Sequence, residues 1–353
     1  MPRERAADDP RREEERAART EPAAPPAVQM MRTLQQGAGN HAVAQYVARQ
    51  EETATEEPAA AALPPAATTL QAAEETLSGA RIAITDDLLA LIGGGGDQAE
   101  PAAMKKHRDT ATTGKVEGTA FGGATPSPAD VKQGSIGDCY LLAALAAVAK
   151  SKPSVIENMI KDNGDGTFDV SVYEDVAWFG KDLEKKTIKV TNTFQLNDKG
   201  EPLYAKRATG LDGKPALWVM LIEKAYAQLH GGYQDIGGGG EGGDALEAIT
   251  GKKATKHDLD DYKEFQVEAT LEVLLSNEFA ITASPRRTGD KSDLAKEQDA
   301  AGIIRKHAYT VLRYDKSSKQ IILRNPWGYS DPKPLSPAEF IKFYRHFESV
   351  PTK

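Results

Sequence analysis

The sequence is nearly free of cysteine, since Cys139 is the one thiol in 353 residues. A single cysteine excludes an internal disulfide framework and a cysteine-rich zinc site. Long apolar runs are missing too, because no stretch approaches the roughly 20 residues that a membrane-spanning helix needs. We therefore expect a globular chain with no membrane span.

Long basic runs are also missing, although the chain is rich in charge. The formal net charge is -8, and no cluster of Lys and Arg offers to neutralise a phosphate backbone. We therefore expect no nucleic-acid partner. With 40% hydrophobic and 27% charged residues, the composition is that of an ordinary globular protein.

The N-terminal third is poor in large apolar side chains. Residues 1–28 mix Arg, Glu, Asp, Ala and Pro, which predicts disorder, and they lack the apolar region of a secretory signal peptide. Residues 29–50 contain two short stretches with helical spacing. Residues 51–117 are predicted to be a linker that includes a helical segment at 70–92. We expect the region from Met1 to about Thr113 to direct delivery and not catalysis.

Cys139 stands where a glycine-containing loop meets an apolar run. The stretch reads Gln133-Gly-Ser-Ile-Gly-Asp-Cys139-Tyr-Leu-Leu-Ala-Ala, which predicts a helix that begins at the cysteine. Free backbone N–H groups and the helix dipole at such a position favour the thiolate, the nucleophilic form. Taken alone, the residue also fits an inert cysteine of the core.

A thiolate nucleophile needs a base and a group that orients the base. His307 begins a run that alternates like a strand, and Asn325 closes the next such run, Gln320-Ile-Ile-Leu-Arg. Antiparallel pairing of the two runs would bring the imidazole and the amide together. Alone, His307 fits a strand histidine and Asn325-Pro326 a turn. With Cys139, the three point to nucleophilic catalysis.

These segments resemble the protease core of the calpain family. The shared pattern is Gln, Gly-Asp-Cys-aromatic-Leu-Leu-Ala-Ala, then His-Ala-Tyr, then Arg-Asn-Pro-Trp-Gly. The resemblance implies that Cys139 is the nucleophile, His307 the base and Asn325 the orienting amide. It also implies that Gln133 and the Cys139 backbone N–H stabilise the oxyanion. Trp327 would shield the His–Asn hydrogen bond, although it equally fits an ordinary core aromatic.

The same resemblance implies an α+β fold of the papain-like type, with two subdomains and a cleft between them. The helical subdomain, residues 118–250, would carry the cysteine, and the β-rich subdomain, residues 251–353, the histidine and asparagine. Residues 217–233 resemble the family's second conserved helix and glycine-rich turn. Residues 237–243 would form a flexible passage between the subdomains.

Hydrophobic spacing and turn residues predict several further elements. Helices are expected at 154–160 and 218–229, and after a capping box at 336–339; strands at 168–172, 187–190, 193–196, 279–283, 308–312 and 321–323; a hairpin turn at 162–166.

Calcium binding is the main departure from the family. The family holds calcium partly through acidic side chains, and Asp130 matches one of them. The other positions fall on Gly213 to Ala216, which carry no carboxylate. We expect an enzyme that needs no cofactor and is independent of calcium, and we retain Asp130 as a candidate calcium ligand.

Residues 29–50 resemble the Leu-Gln-x-x-x-Gly-Asn-x-Ala-Val-Ala segment of bacterial proteins that contractile injection systems carry. The resemblance implies a docking segment for the injection particle; the alternative is an incidental amphipathic helix. We thus expect an effector or toxin that is made in the bacterial cytoplasm and exported in a particle to a target cell.

Three functions stay open at this point. The first is a monomeric cysteine endopeptidase that hydrolyses protein substrates. The second is an acyltransferase of the transglutaminase type, which would use the same three residues to pass the acyl group to an amine. The third is a catalytically silent binding module, against which the complete set of Cys139, His307 and Asn325 weighs.

Overall fold

The computed structural model describes residues 111–176, 182–289 and 292–353. The predictions for segments 29–50 and 70–92 lie outside these residues. The described part is a mixed fold of helices and antiparallel sheets.

The helices that the structure describes are, in chain order, α1 (Cys139–Ser151), α2 (Pro153–Met159), α3 (Trp218–Leu229), α4 (Tyr233–Ile236), α5 (Gly242–Thr250), α6 (Glu264–Ser276), α7 (Asp293–Ala300) and α8 (Pro337–Phe343). Among them, no single helix is long and apolar enough to cross a membrane. The pair α1 and α2 passes that test together, but it bends by 117°.

The strands described are β1 (Thr112–Lys115), β2 (Ile160–Asp162), β3 (Thr167–Asp175), β4 (Leu183–Thr191), β5 (Thr193–Leu196), β6 (Ala208–Thr209), β7 (Pro215–Ala216), β8 (Thr255–Asp258), β9 (Phe279–Pro285), β10 (Tyr309–Asp315), β11 (Gln320–Arg324) and β12 (Tyr344–Pro351). They form a five-stranded sheet in the order β11-β10-β9-β12-β8, a three-stranded sheet β2-β3-β4, and the pairs β1-β5 and β6-β7.

Helix α1 is the most deeply buried element. Its sequence is apolar on all sides, and every residue from Cys139 to Ala149 is buried. It packs on β9 and β10 of the five-stranded sheet and on α5. The hydroxyl of Thr310, in β10, donates a hydrogen bond to the Ala143 carbonyl at 2.6 Å. The helix that begins at the cysteine is thereby fixed to the strand that follows the histidine.

Several predicted elements are confirmed. Helix α3 has the predicted bounds, and α2 and the predicted strands lie within one to four residues of theirs. In α8 the capping box is complete, since Ser336 Oγ accepts the Glu339 N–H and the Glu339 carboxylate accepts the Ser336 N–H. The turn between β2 and β3 is a hairpin, as predicted, and Asp162 Oδ1 accepts the Gly164 N–H at 2.9 Å.

The structure corrects the prediction of a flexible passage at residues 237–243. Gly242 and Gly243 instead form the first turn of α5. A Cβ at either position would press on the Glu348 carboxylate, which lies 2.9 Å from both ideal Cβ positions. These glycines therefore serve the close approach of α5 to β12.

His257 lies in β8. Its ring nitrogens pair with the hydroxyls of Tyr262 at 2.8 Å and Ser349 at 3.0 Å. His230 caps the end of α3. The subdomain bounds 118–250 and 251–353 stay predictions.

Candidate active site

Cys139 is the first residue of α1 and is 9% exposed. The Asp138 carbonyl accepts the N–H groups of Leu141 and Leu142, which closes the first turn. The Ala308 backbone N–H donates a hydrogen bond to the Cys139 sulfur. Because Ala308 follows His307, the chain segment of the histidine lies against the thiol.

His307 and Asn325 come together as the antiparallel prediction required. His307 lies two residues before β10, and Asn325 follows β11 directly. Strands β10 and β11 pair antiparallel, with Thr310 opposite Arg324. The start of one strand therefore meets the end of the other, where His307 Nε2 lies 2.9 Å from Asn325 Oδ1.

The orientation of the Asn325 amide follows from its other hydrogen bonds. Its Nδ2 donates to the Ser330 carbonyl at 3.2 Å, and its Oδ1 accepts the Trp327 N–H at 3.0 Å. Because Oδ1 only accepts, Nε2 of His307 must carry the proton between them. Nδ1 of His307 is therefore the basic nitrogen.

Trp327 packs against the imidazole. It is 4% exposed, and its ring centroid lies 4.9 Å from that of His307. His307 is 5% exposed and Asn325 is fully buried, so their hydrogen bond is screened from solvent. The position fits the shielding that the resemblance implies, and the role itself stays a prediction.

Gln133 is buried near the start of α1, but its side chain is turned into its own loop. Its Nε2 donates to the Ile136 carbonyl at 2.6 Å, and its backbone N–H donates to the Pro326 carbonyl at 2.9 Å. The second bond joins the loop before Cys139 to the turn after Asn325. The oxyanion role of Gln133 stays a prediction, and it requires the side-chain amide to turn away from Ile136.

Burial sets the protonation of the Cys139 and His307 pair. It raises the pKa of the Cys139 thiol to about 12, and it lowers the pKa of His307 to about 4. The neighbouring Asp138 raises the thiol pKa further, while the Ala308 N–H opposes both effects. Both shifts favour a neutral thiol and a neutral imidazole, because desolvation opposes charge on each group. The N–H groups of the helix start favour the thiolate, and which form Cys139 takes stays a prediction.

A buried carboxyl pair, Asp138 and Glu223, went unnoticed in the sequence. The two side chains interact, and they are 0% and 1% exposed. The Ala205 N–H donates to both Glu223 oxygens, at 3.0 and 3.1 Å. Burial raises the pKa of Asp138 to about 7 and that of Glu223 well above its usual range. The sequence signal for this pair is Glu223, a glutamate inside the apolar run of α3.

Asp130, the candidate calcium ligand, has a structural position. Its Oδ2 accepts the Ser127 N–H at 2.9 Å and the Trp218 Nε1–H at 3.1 Å. Calcium prefers six to eight oxygen ligands, and Gly213 to Ala216 supply no carboxylate there. Asp212 is the one acidic residue beside these positions in the sequence. Calcium independence stays a prediction.

The comparison with known families decides the relationship. A family model described as "Calpain family cysteine protease" matches residues 95–333, more than half of the chain. The chain belongs to the calpain family of cysteine proteases. The predicted calpain resemblance is confirmed, and the domain is of the cysteine-type endopeptidase class.

Calpains from animals and plants are also similar to this chain. Calpain-9 of Mus musculus is 28% identical over 216 residues, which cover 59% of this chain and 29% of the relative. Calpain clp-4 of Caenorhabditis elegans is 29% identical over 210 residues, 56% of this chain and 27% of the relative. The calpain-type cysteine protease DEK1 of Arabidopsis thaliana is 28% identical over 210 residues, which cover 57% of this chain and 9% of the relative. The matched region spans less than a third of each relative.

Proposed function

We propose that this calpain-family chain is a cysteine endopeptidase that hydrolyses protein substrates through Cys139, His307 and Asn325. The observation that carries the proposal is the buried hydrogen bond of 2.9 Å between His307 Nε2 and Asn325 Oδ1. It leaves Nδ1 of the imidazole as a base, and the next residue, Ala308, contacts the sulfur of Cys139 at the start of α1.

The reaction begins with the neutral pair. As Cys139 Sγ attacks the peptide carbonyl carbon, His307 Nδ1 takes the thiol proton, and the carbonyl oxygen becomes an oxyanion. The Cys139 backbone N–H and the Gln133 amide are the proposed donors to that oxyanion. His307 then gives its proton to the leaving amine as the C–N bond breaks, which leaves an acyl-enzyme. Water attacks the thioester, with His307 again as the base, and releases the acid.

Asn325 positions the base. Its hydrogen bond holds the imidazole with Nδ1 unprotonated and stabilises the imidazolium that forms during attack. Buried Trp327 is proposed to keep water from competing for this hydrogen bond.

The remaining assignments are proposals of the same kind. The two-subdomain cleft of the papain type rests on the family and on the packing of α1 against the five-stranded sheet. The role as an effector or toxin delivered by a contractile injection system rests on the resemblance of residues 29–50.

Mass spectrometry of a proteome incubated with the wild type or with Cys139→Ala, His307→Ala or Asn325→Ala tests the triad. New peptide N-termini should form with the wild type and be absent with Cys139→Ala and His307→Ala. Asn325→Ala should retain partial activity, lower by about 10- to 100-fold, or on the order of 1.4 to 2.8 kcal/mol. Circular dichroism controls for folding.

The same experiment separates the alternatives. Incorporation of an added primary amine without new N-termini would indicate an acyltransferase. Equal cleavage by wild type and Cys139→Ala would refute the triad, and an inert wild type would indicate a binding module. Assays in chelator and in millimolar calcium test calcium independence. A hundredfold rise on adding calcium, about 2.7 kcal/mol, would contradict it.

A further inference from the structure

Three side chains of metal-ligand type converge where β12 passes the start of α5. Glu241 directly precedes α5, and His346 and Glu348 lie two residues apart on β12, so they share one face of the strand. One ligand atom from each lies within 4.8 Å of the others. We call these three residues the β12 cluster. It is the one such group of three or more His, Cys, Asp or Glu in the described part of the chain.

His346 is buried without a hydrogen bond. It is 5% exposed, and among the described residues neither ring nitrogen has a hydrogen-bond partner. Its Nε2 points to Glu241, whose Oε2 lies 3.3 Å away. An imidazole buried in this way loses its hydration and gains no hydrogen bond. A metal bound at Nε2 would offset that free-energy cost of burial.

Hydrogen bonds to its carboxylate hold the Glu348 side chain in place. It is 4% exposed, and its Oε2 accepts the Gly243 N–H at 2.8 Å and the Thr282 hydroxyl at 3.5 Å. Hydrogen bonds of this kind orient the carboxylates that bind metals in proteins. The missing Cβ of Gly242 and Gly243 permits this close approach.

We propose that Glu241, His346 and Glu348 bind one zinc ion. An imidazole with two carboxylates suits zinc, whereas calcium and magnesium prefer oxygen ligands alone. Tetrahedral zinc with bonds of about 2.1 Å places its ligand atoms roughly 3.4 Å apart. The cluster must contract slightly to reach this spacing, and the Glu241 side chain, which is 51% exposed, is free to move. Water would complete the coordination.

Lys256 is the competitor for this site. Its Nζ lies 3.2 Å from Glu241 Oε2, and both side chains are half exposed, so solvent screens the pair. Zinc would displace the ammonium group. Removal of Lys256 should therefore strengthen zinc binding, a result that a merely structural ion pair would not produce.

Zinc would also tie β12 to the segment beside the candidate active site. Gly240 precedes Glu241, and a Cβ there would lie 2.7 Å from the ring of Tyr140, the neighbour of Cys139. The ion would thus stabilise the packing of this segment on α1. The proposed site is independent of whether the peptidase function is correct.

Isothermal titration of the full chain, freed of metal by chelator, tests the proposal. Cys139→Ala is the background, because a thiol beside an imidazole is itself a zinc site. We expect one zinc per chain, a zinc-dependent rise in melting temperature and no such response to calcium. Glu241→Gln and His346→Ala should each weaken binding at least tenfold, and Lys256→Met should tighten it.

His230→Ala is the matched control, since His230 is an exposed histidine at the end of α3, and it should bind zinc like the background. The proposal is overturned if the Cys139→Ala chain binds no zinc, or if Glu241→Gln binds as tightly as that background. Because Glu241 is exposed and Gln is nearly isosteric, this variant decides the matter even if His346→Ala fails to fold.

Discussion

At the scale of single residues, burial opposes charge on both reactive groups. It raises the thiol pKa of Cys139 to about 12 and lowers the pKa of His307 to about 4, which favours the neutral forms before attack. Charge then develops during attack. The Ala308 N–H stabilises the thiolate as it forms, and the imidazole becomes an imidazolium as it takes the thiol proton.

Alkylation by iodoacetamide measures this protonation state, because Cys139 is the one thiol in the chain. The thiolate fraction of a group with so high a pKa grows about tenfold per pH unit, so the rate should climb steadily from pH 6 to pH 10. An existing thiolate–imidazolium pair would instead react at a high, constant rate between pH 5 and pH 8. The urea-unfolded chain is the control, with a midpoint at about pH 8.5.

At the scale of elements, the Asp138 and Glu223 pair joins the residue before α1 to the middle of α3. Asp138 precedes α1, and Glu223 lies within α3 and holds the Ala205 N–H. Burial raises the pKa of both carboxyls. The neighbouring Asp138 raises the pKa of Glu223 further, whereas the contact with Glu223 lowers that of Asp138.

Glu223→Gln should weaken the dependence of stability on pH. Since the folded pKa of Asp138 is about 7, above its usual 3.8, the folded state binds more protons than the unfolded state between these values. The free energy of unfolding therefore falls as pH rises through that window, and the loss is complete above it. Gln removes the titration of Glu223, whose pKa burial also raises, so one contribution to this loss disappears.

Urea unfolding at pH 5, 6.5 and 8 provides the measurement. The wild type should lose more stability across this range than Glu223→Gln, and the contribution of His307 cancels in the difference. Glu184→Gln, at a side chain that is 58% exposed, should follow the wild type. Parallel curves for wild type and Glu223→Gln would show that the pair is not protonated in the fold.

The loop before Cys139 depends on a second close contact. A Cβ at Gly134 would overlap the Tyr204 carbonyl, and the Ser135 N–H donates to the Leu203 carbonyl at 3.0 Å. Gly134→Ala should therefore shift the loop that carries Gln133. We expect a loss of about 1 to 3 kcal/mol in stability and a larger loss in activity.

Thermal unfolding and turnover of Gly134→Ala measure both effects. Gly289→Ala is the matched control, because a Cβ at Gly289 meets nothing within 4 Å and its φ is not positive. An unchanged rate of turnover in Gly134→Ala would mean that the loop has no part in the reaction.

At the scale of the whole molecule, regular structure is present before residue 118, where the predicted catalytic subdomain starts. Strand β1 lies in the range predicted as a linker, where it pairs with β5, and the family match begins at residue 95. The subdomain bound at residue 118 stays a prediction that truncation tests.

A chain that begins at Gly95 should keep the peptidase activity of the full chain, whereas one that begins at Gly118 should melt at a lower temperature because it lacks β1. Turnover and thermal unfolding of the three chains provide the measurement. In the proposed delivery role, deletion of residues 29–50 should abolish loading into the injection particle without affecting turnover. A folded but inactive chain from Gly95 would place part of the enzyme before that residue.

Local patterns were sufficient for α1, α3 and α8, for the antiparallel pair β10 and β11, and for the meeting of His307 with Asn325. Periodicity, capping residues and the order of neighbouring strands are local features, so they can be recognised in the sequence. They did not reveal β12, whose buried residues include His346 and Glu348 and do not alternate. The local patterns also failed to predict the raised thiol pKa of Cys139, the Asp138 and Glu223 pair and the β12 cluster. Each depends on desolvation and on contacts across distant parts of the chain, such as the bond between Gly243 and Glu348, 105 residues apart, and folding alone creates these.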